Sequence, residues 1–245
     1  MDETEPVPQI ASTIHLNTIQ INIDLIRERI RIACLRVDRD PNTITLIAAT
    51  KTQPPDRIVE AYQAGIRHFG ENYVQEALSK VGQPPLDWPD ACWHLIGHLQ
   101  SNKARDIIPK DGARFALIQT VDSLSLARTL AHRARLSGLI AAILLEVKLD
   151  PGPAKFGFAP ESVLEDVVRI QEMDGIVLHG LMGMAPFSSY PEMARPYFRQ
   201  LRNLYLLLPK ASQQVLSMGM TGDFEVAIEE GATHVRIGTA IFGPR

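Results

Sequence analysis

Short runs of β-branched and aliphatic residues alternate, about eight times over, with amphipathic stretches along a chain of 245 residues. Strands that take turns with helices in this way must run parallel, because each helix carries the chain back to where the next strand begins. Eight such units in about 250 residues are the usual extent of a (β/α)8 barrel. The fold class expected is therefore α/β, a single TIM barrel. The strand-like runs cover residues 44–51, 68–72, a third opening at Trp93, then 115–121, 139–149, 176–184, 215–220 and 234–239. Helical patterns fill residues 55–65, 73–81, 124–136, 160–173, 191–208 and 223–231, with Tyr197, Leu201, Leu204 and Leu208 on the expected buried side of the fifth of these. Ahead of the first strand, Ile19, Ile23, Ile26, Ile30, Ala33 and Val37 recur at helical steps and place Arg27, Glu28 and Arg31 on the other side. That leading helix is expected to cover one face or the bottom of the barrel. Residues 1–13, acidic and proline-containing, read as a flexible tail, which leaves 14–245 as the barrel with its leading helix.

Composition narrows the function classes. A net charge of −3 with scattered Lys and Arg offers no basic footprint for nucleic acid. Cys34 and Cys92 have neither disulfide-framework nor CxxC spacing, so reduced thiols and a cytoplasmic location are expected. The longest apolar run, residues 139–145, is too short to span a bilayer, and the N-terminus lacks the basic region of a signal peptide.

Chemistry concentrates where strands end, since barrel active sites form there. With period two, Thr45, Ile47, Ala49 and Lys51 share the inward face, and Lys51 stands at the mouth. A lysine amine attacks an aldehyde when neutral, and desolvation at a mouth favours that state, so Schiff-base chemistry is the functional reading of Lys51 against that of a loop lysine. Asn72 sits where a helix N-cap belongs, and its amide either caps or also faces the mouth. His94 and His98 lie about 13 Å apart on a strand, which rules out a shared metal; His98 is placed near the mouth. Leu144, Glu146 and Lys148 share a face, giving a polar mouth above an apolar core. In the glycine- and proline-rich loop 150–158, Lys155 is a candidate anion contact, with a solvated lysine as the simpler reading. Met182 and Met184 read as packing.

The last two units supply an anion cup. Loops after strands seven and eight often bind phosphate in such barrels, and Ser217 with Gly219 and Gly238 with Thr239 leave backbone N–H groups approachable. Asp223 and Glu225, in the first turn of the next helix, would repel an anion there, so the loop amides are assigned to it. Arg236 shares the face of His234 and Gly238 and points inward, either as an ion pair with Glu146 or as a contact to a pyridine nitrogen.

A strand-end lysine, a phosphate cup and an inward arginine together point to pyridoxal 5′-phosphate (PLP). The chain resembles the pyridoxal phosphate homeostasis protein family, single-domain relatives of the alanine racemase N-terminal barrel (PLP fold type III). The resemblance runs from the first helix to Arg245. It is carried by the stretches at 49–51, 69–76, 93–103, 180–184, 216–220 and 235–243, with Leu95 standing where Phe is commoner and a longer tail than usual. It implies a covalent aldimine on Lys51, phosphate held by Ser217, Gly238 and Thr239, Arg236 at the pyridine nitrogen, and Asn72 near the cofactor, with no catalytic residue and no metal. It further implies PLP binding and delivery in vitamin B6 and amino-acid/keto-acid balance, with apo-PLP enzymes as partners, and no enzyme reaction. The alternatives are an amino-acid racemase and a cofactor-free Schiff-base aldolase. A racemase needs a base on each face of the substrate carbon, and the sequence ends at Arg245 without the second domain that supplies a tyrosine in alanine racemase; a monomer without racemase activity is expected.

Overall fold

The structure, a computed structural model, describes residues 18–109, 115–150, 152 and 156–244. The expected tail 1–13 and Lys155 lie outside the described residues. Helix α1 spans Thr18–Leu35, and the units that follow are β1 Thr45–Ala49, α2 Pro55–Gln63, β2 His68–Glu71, α3 Val74–Leu78, β3 Cys92–Leu95, α4 Ala104–Ile107, β4 Leu117–Val121 and α5 Leu124–Leu136. The second half continues with β5 Ala141–Val147, α6 Val163–Gln171, β6 Ile176–Gly183, α7 Arg195–Leu206, β7 Val215–Ser217, α8 Phe224–Glu229, β8 His234–Ile237 and α9 Thr239–Phe242. Each strand pairs in parallel with the next, and β8 pairs with β1, so the sheet closes into an eight-stranded barrel as expected.

Local chemistry sets several boundaries. Pro55 opens α2, and Gly65, at φ 84°, ends the turn behind it. Ser123 caps α5 by accepting the Leu126 N–H. Proline also splits the expected helix 191–208: Pro191–Ala194 forms a separate 3₁₀ turn, and α7 starts afresh at Arg195. Its register buries Phe198 and Leu201, whereas Tyr197 and Leu204 are only partly covered.

Alternation along the strands separates two cores. Outward residues such as Ala48, Phe69, Trp93, Leu145, Leu181 and Val235 join the large layer between sheet and helices, while Leu117, Leu144, Met182 and Val215 form a small cluster apart from it. Helix α9 has four residues, too few to cover the last strand, and α1 completes the outer ring by packing on α8, α9 and α2. Asn22 Nδ2 donates to the Ile241 carbonyl, and Arg29 makes a two-bond contact with Glu225. The leading helix therefore lies on the side of the barrel rather than its bottom. No described helix is long and apolar enough to cross a membrane.

Two irregularities break the period of two. Between β4 and β5 the register shifts from Ile118↔Ile143 to Val121↔Leu145, which inserts a residue at 119–120. Between β5 and β6, Leu178 and then Gly180 pair with consecutive partners, bulging at His179. Gly180 has φ 154°, and a Cβ there would lie 1.8 Å from the Val215 carbonyl oxygen. Gly180→Ala should therefore force β6 and β7 apart and lower stability by more than about 2 kcal/mol, measured as a reduced urea midpoint.

Candidate functional site

Lys51 is carried by a turn just beyond β1, and a buried polar cluster fixes that turn. Lys80 Nζ donates to the Thr50 carbonyl at 2.9 Å, to Glu71 Oε1 at 2.9 Å and to Glu76 Oε1 at 2.6 Å. Thr50 Oγ1 donates to the same Glu71 oxygen, and the Thr52 N–H, on a residue at φ 63°, donates to Glu76. Glu71 is wholly buried and Lys80 nearly so. Burial raises the Glu71 pKa, and the Thr50 and Lys80 contacts pull it back down. The ends of β1 and β2 are thus tied to α3's C-terminal turn, and Lys51 projects into a cavity of about 410 Å³ at the mouth.

Arg236 forms another wall of that cavity. It is buried; Nη1 donates to Ser217 Oγ at 2.6 Å and Nη2 to the Gly183 carbonyl at 3.2 Å. The expected alternative, a direct ion pair with Glu146, is absent among the described residues, although the two charges act on each other. Burial pushes the Arg236 pKa down to about 10, with Glu146 and Asp223 opposing, so the guanidinium stays charged at neutral pH. A guanidinium only donates, which fixes the direction of the hydrogen bonds beneath it. Ser217 must accept from Arg236 and give its proton to Gln119 Oε1 at 2.6 Å; Gln119 Nε2 then donates to His94 Nδ1 at 3.1 Å, leaving the His94 Nε2–H for His68 Nδ1 at 3.0 Å. Burial lowers the pKa of His94 well below its usual value, helped by His234 and His68, so this chain is uncharged below the arginine.

Gly238 and Thr239 line the same cavity, together with the turn 220–222. The Thr221 and Gly222 N–H groups have no acceptor among the described residues. In α9 the Ile241 and Phe242 N–H groups go to the Gly238 carbonyl, while those of Thr239 and Ala240 have no acceptor among the described residues. Asp223 is the N-cap residue of α8 and accepts the Met220 N–H, while Glu225 turns outward to Arg29, so Asp223 is the first-turn acid that faces the cavity. Ser217 is a correction to the expected cup: it is fully buried, is not among the lining residues, and its hydroxyl is engaged with Arg236 and Gln119. Asn72 is another. Tyr73 is the N-cap of α3 and Asn72 makes no cap; its Oδ1 is buried with no partner, and the residue lines the cavity. An orphaned acceptor, a lysine, a buried cation and loop N–H groups around one cavity fit a phosphorylated pyridine aldehyde.

A smaller chamber of about 230 Å³ adjoins the first, sharing Asn72, Ile96 and Met184 as common wall. Glu146 and Lys148 face it, as does Thr120, which the β4 bulge turns inward along with Gln119. Burial pushes Glu146 up to about 7, Arg236 pulls it down and Asp122 adds to the rise. His98 stands at the mouth as expected, with Nδ1 3.1 Å from Asp122 Oδ2 and its ring stacked on Phe156. Among the described residues no group of His, Cys, Asp and Glu is arranged for a metal.

Sequence reasoning missed Lys80, Glu71 and Gln119. Gln119 lies in the β4 bulge and the Lys80 clamp joins a strand end to a helix terminus, so neither has a periodic signal.

A closed parallel barrel with a lysine, an arginine and loop amides around one cavity at its mouth defines a (β/α)8 protein with a polar cleft where its strands end. The sequence model described as "Alanine racemase, N-terminal domain" matches residues 14–245. A "Pyridoxal phosphate homeostasis protein" of Aquifex aeolicus is 42% identical over 221 residues, 89% of this chain and 94% of its own. The protein of the same name in Escherichia coli is 37% identical over 235 residues, 94% and 98% of the two chains. PipY of Synechococcus elongatus PCC7942, solved with PLP bound, is 39% identical and has a TM-score of 0.75, covering 89% of this chain and 100% of that one. An alanine racemase of Clostridium difficile, 16% identical with a TM-score of 0.69 over 94% of this chain and 57% of its own, shares the fold. The chain belongs to the pyridoxal phosphate homeostasis protein family.

Removing one member of the clamp strands a buried charge. Lys80→Met should cost about 3–5 kcal/mol, and Lys80→Met combined with Glu71→Leu less than Lys80→Met alone, as urea unfolding of the double-mutant cycle will read out.

Proposed function

We propose that this protein binds PLP through a Schiff base with Lys51 and holds and hands on the cofactor without catalysing a reaction, as a cytoplasmic monomer that meets apo-PLP enzymes. Its role is then in PLP homeostasis and in amino-acid/keto-acid balance. The observation that carries the reading is that Lys51, Arg236, Gly238 and Thr239 line one cavity. PipY's solved complex and the family name support it. Bound PLP supplies an aldehyde for amines and an electron-withdrawing ring. In this reading the amides of Gly238 and Thr239, with those of Thr221 and Gly222, hold the phosphate. Arg236 faces the pyridine nitrogen, Ser217 serves by anchoring Arg236 from beneath, and Asn72 lies near the ring.

Two features disfavour a racemase. A permanent cation at the ring nitrogen opposes its protonation and weakens the electron sink. Among the described residues lining the two chambers there is no tyrosine to act as a second base. The free, partly exposed Cys92 and the buried Cys34 fit a reducing compartment.

Borohydride treatment of the PLP-loaded protein should fix the cofactor on Lys51, as peptide mass spectrometry will locate; a label on Lys103 or Lys155 instead would sink the assignment. Pyridoxal, lacking the anion, should bind at least about a hundredfold more weakly, since several charge-assisted hydrogen bonds of roughly 1.5–3 kcal/mol each are lost. Incubated with L-alanine in D2O, the loaded protein should give neither Cα exchange nor D-enantiomer above background. Racemisation that vanishes in Lys51→Ala would restore the enzyme reading.

A further inference from the structure

The smaller chamber contains a carboxylate that the fold leaves unmatched. Glu146 is 7% exposed and has no hydrogen-bond or ion-pair partner among the described residues. A buried carboxylate in that position is costly unless a donor or cation meets it. The surrounding charges do not. Arg236 spends its printed bonds on Ser217 and Gly183, and Asp122, the other acid acting on Glu146, is engaged with His98. The second polar group at this wall, Asn72 Oδ1, is likewise buried and unpartnered, and it too is an acceptor. Two unmet acceptors call for a ligand that donates, and the chamber's charged side chains, Glu146 and Asp150 against Lys148, leave it one positive charge short. Ile96, Val147, Leu149 and Met184 give the chamber an apolar wall, and no metal-binding cluster occurs among the described residues, so the cation is organic.

We propose that this chamber binds a primary alkylammonium, the group that ends a lysine side chain, with its head on Glu146 and Asn72 and its stem along Ile96, Val147, Leu149 and Met184. The outer wall is the stacked pair His98 and Phe156, rings 3.7 Å apart. That wall is held in place because the loop returns to β5: the Phe158 N–H donates to the Glu146 carbonyl, and the Lys148 N–H to that of Phe158. Gly157, at φ 123° with no room for a Cβ, permits the return. A bound cation would keep Glu146 ionised against the desolvation that pushes it up to about 7. The significance rests on the proposed function: the chamber shares a wall with the Lys51 cavity, so a second amine is seated beside the first, as a handover of an aldehyde between amines requires.

The binding test uses cofactor-free protein, so its outcome is independent of whether Lys51 carries PLP. n-Butylammonium chloride and n-butanol are titrated separately and followed by ligand-observed NMR. The ammonium should bind at least about tenfold more tightly than the alcohol, the size expected of one charge-assisted contact. Glu146→Gln should reduce that preference to within about twofold. Lys148→Met, which removes a competing cation from the same chamber, should tighten ammonium binding and keeps the test informative if the Gln variant folds poorly. Nα-acetyl-lysine amide distinguishes the sources: Glu146-dependent binding assigns the site to protein lysines, and its absence while n-butylammonium still binds assigns it to free amines. Equal binding of amine and alcohol to the wild type, or a preference that survives in Glu146→Gln, overturns the proposal.

Discussion

A guanidinium buried inside a barrel has to be solvated by the barrel, and much of the interior follows from that one demand. Arg236 cannot accept a hydrogen bond or shed its proton at neutral pH, so what lies below it must be a run of acceptors, each passing a proton onward. Ser217, Gln119, His94 and His68 meet that demand in sequence across four strands. In most of this fold's interiors, branched aliphatic side chains fill the layers. Here the aliphatic part of the interior shrinks to a small cluster around Leu144 and Met182. The mouth cation is thereby held rigidly, and among the described residues no carboxylate neutralises it at contact distance.

The lysine side of the cavity is built on a different principle. Lys51 stands on a turn rather than on the strand itself, and a turn carries mobility unless something pins it. The pin is an ion cluster joining Glu71, Lys80 and Glu76 to the backbone of Thr50 and Thr52. Buried pairs of this kind contribute little net stability, but their geometry is exacting, and here that geometry sets the position of an amine. The cavity is therefore rigidly supported on both sides.

Much of this was legible in the residues. Strand count, helix starts at Pro55 and Ser123, and the inward facing of Ile47, Glu146 and Arg236 all came from periodicity, because those strands keep a strict alternation. Gln119 and Thr120 were missed because the β4 bulge turns consecutive residues to the same side, which no period-two pattern can encode. Asn72 reads either as a cap or as a mouth residue because α3 is expected to begin at Tyr73; it begins at Val74, which frees the amide. Ser217 has the right strand and the right face but stands one layer too deep, and depth inside a barrel depends on the stagger of its neighbours rather than on local sequence. The Lys80 clamp couples a strand end to a helix terminus, a contact with no periodic signature.

The ring of helices is completed by α1, which packs on α8 and α9, and the sheet is completed by β8 meeting β1. Elements from opposite ends of the described chain therefore depend on each other, and the cavity takes Lys51 from the first strand unit and Arg236, Gly238 and Thr239 from the last. On a ribosome, which releases the chain from its first residue onward, such a cavity has no partial form: the amine emerges well before its companions on β8 and α9. The cavity comes into being with the closure of the barrel, so a nascent chain presents Lys51 as an ordinary lysine until β8 has emerged.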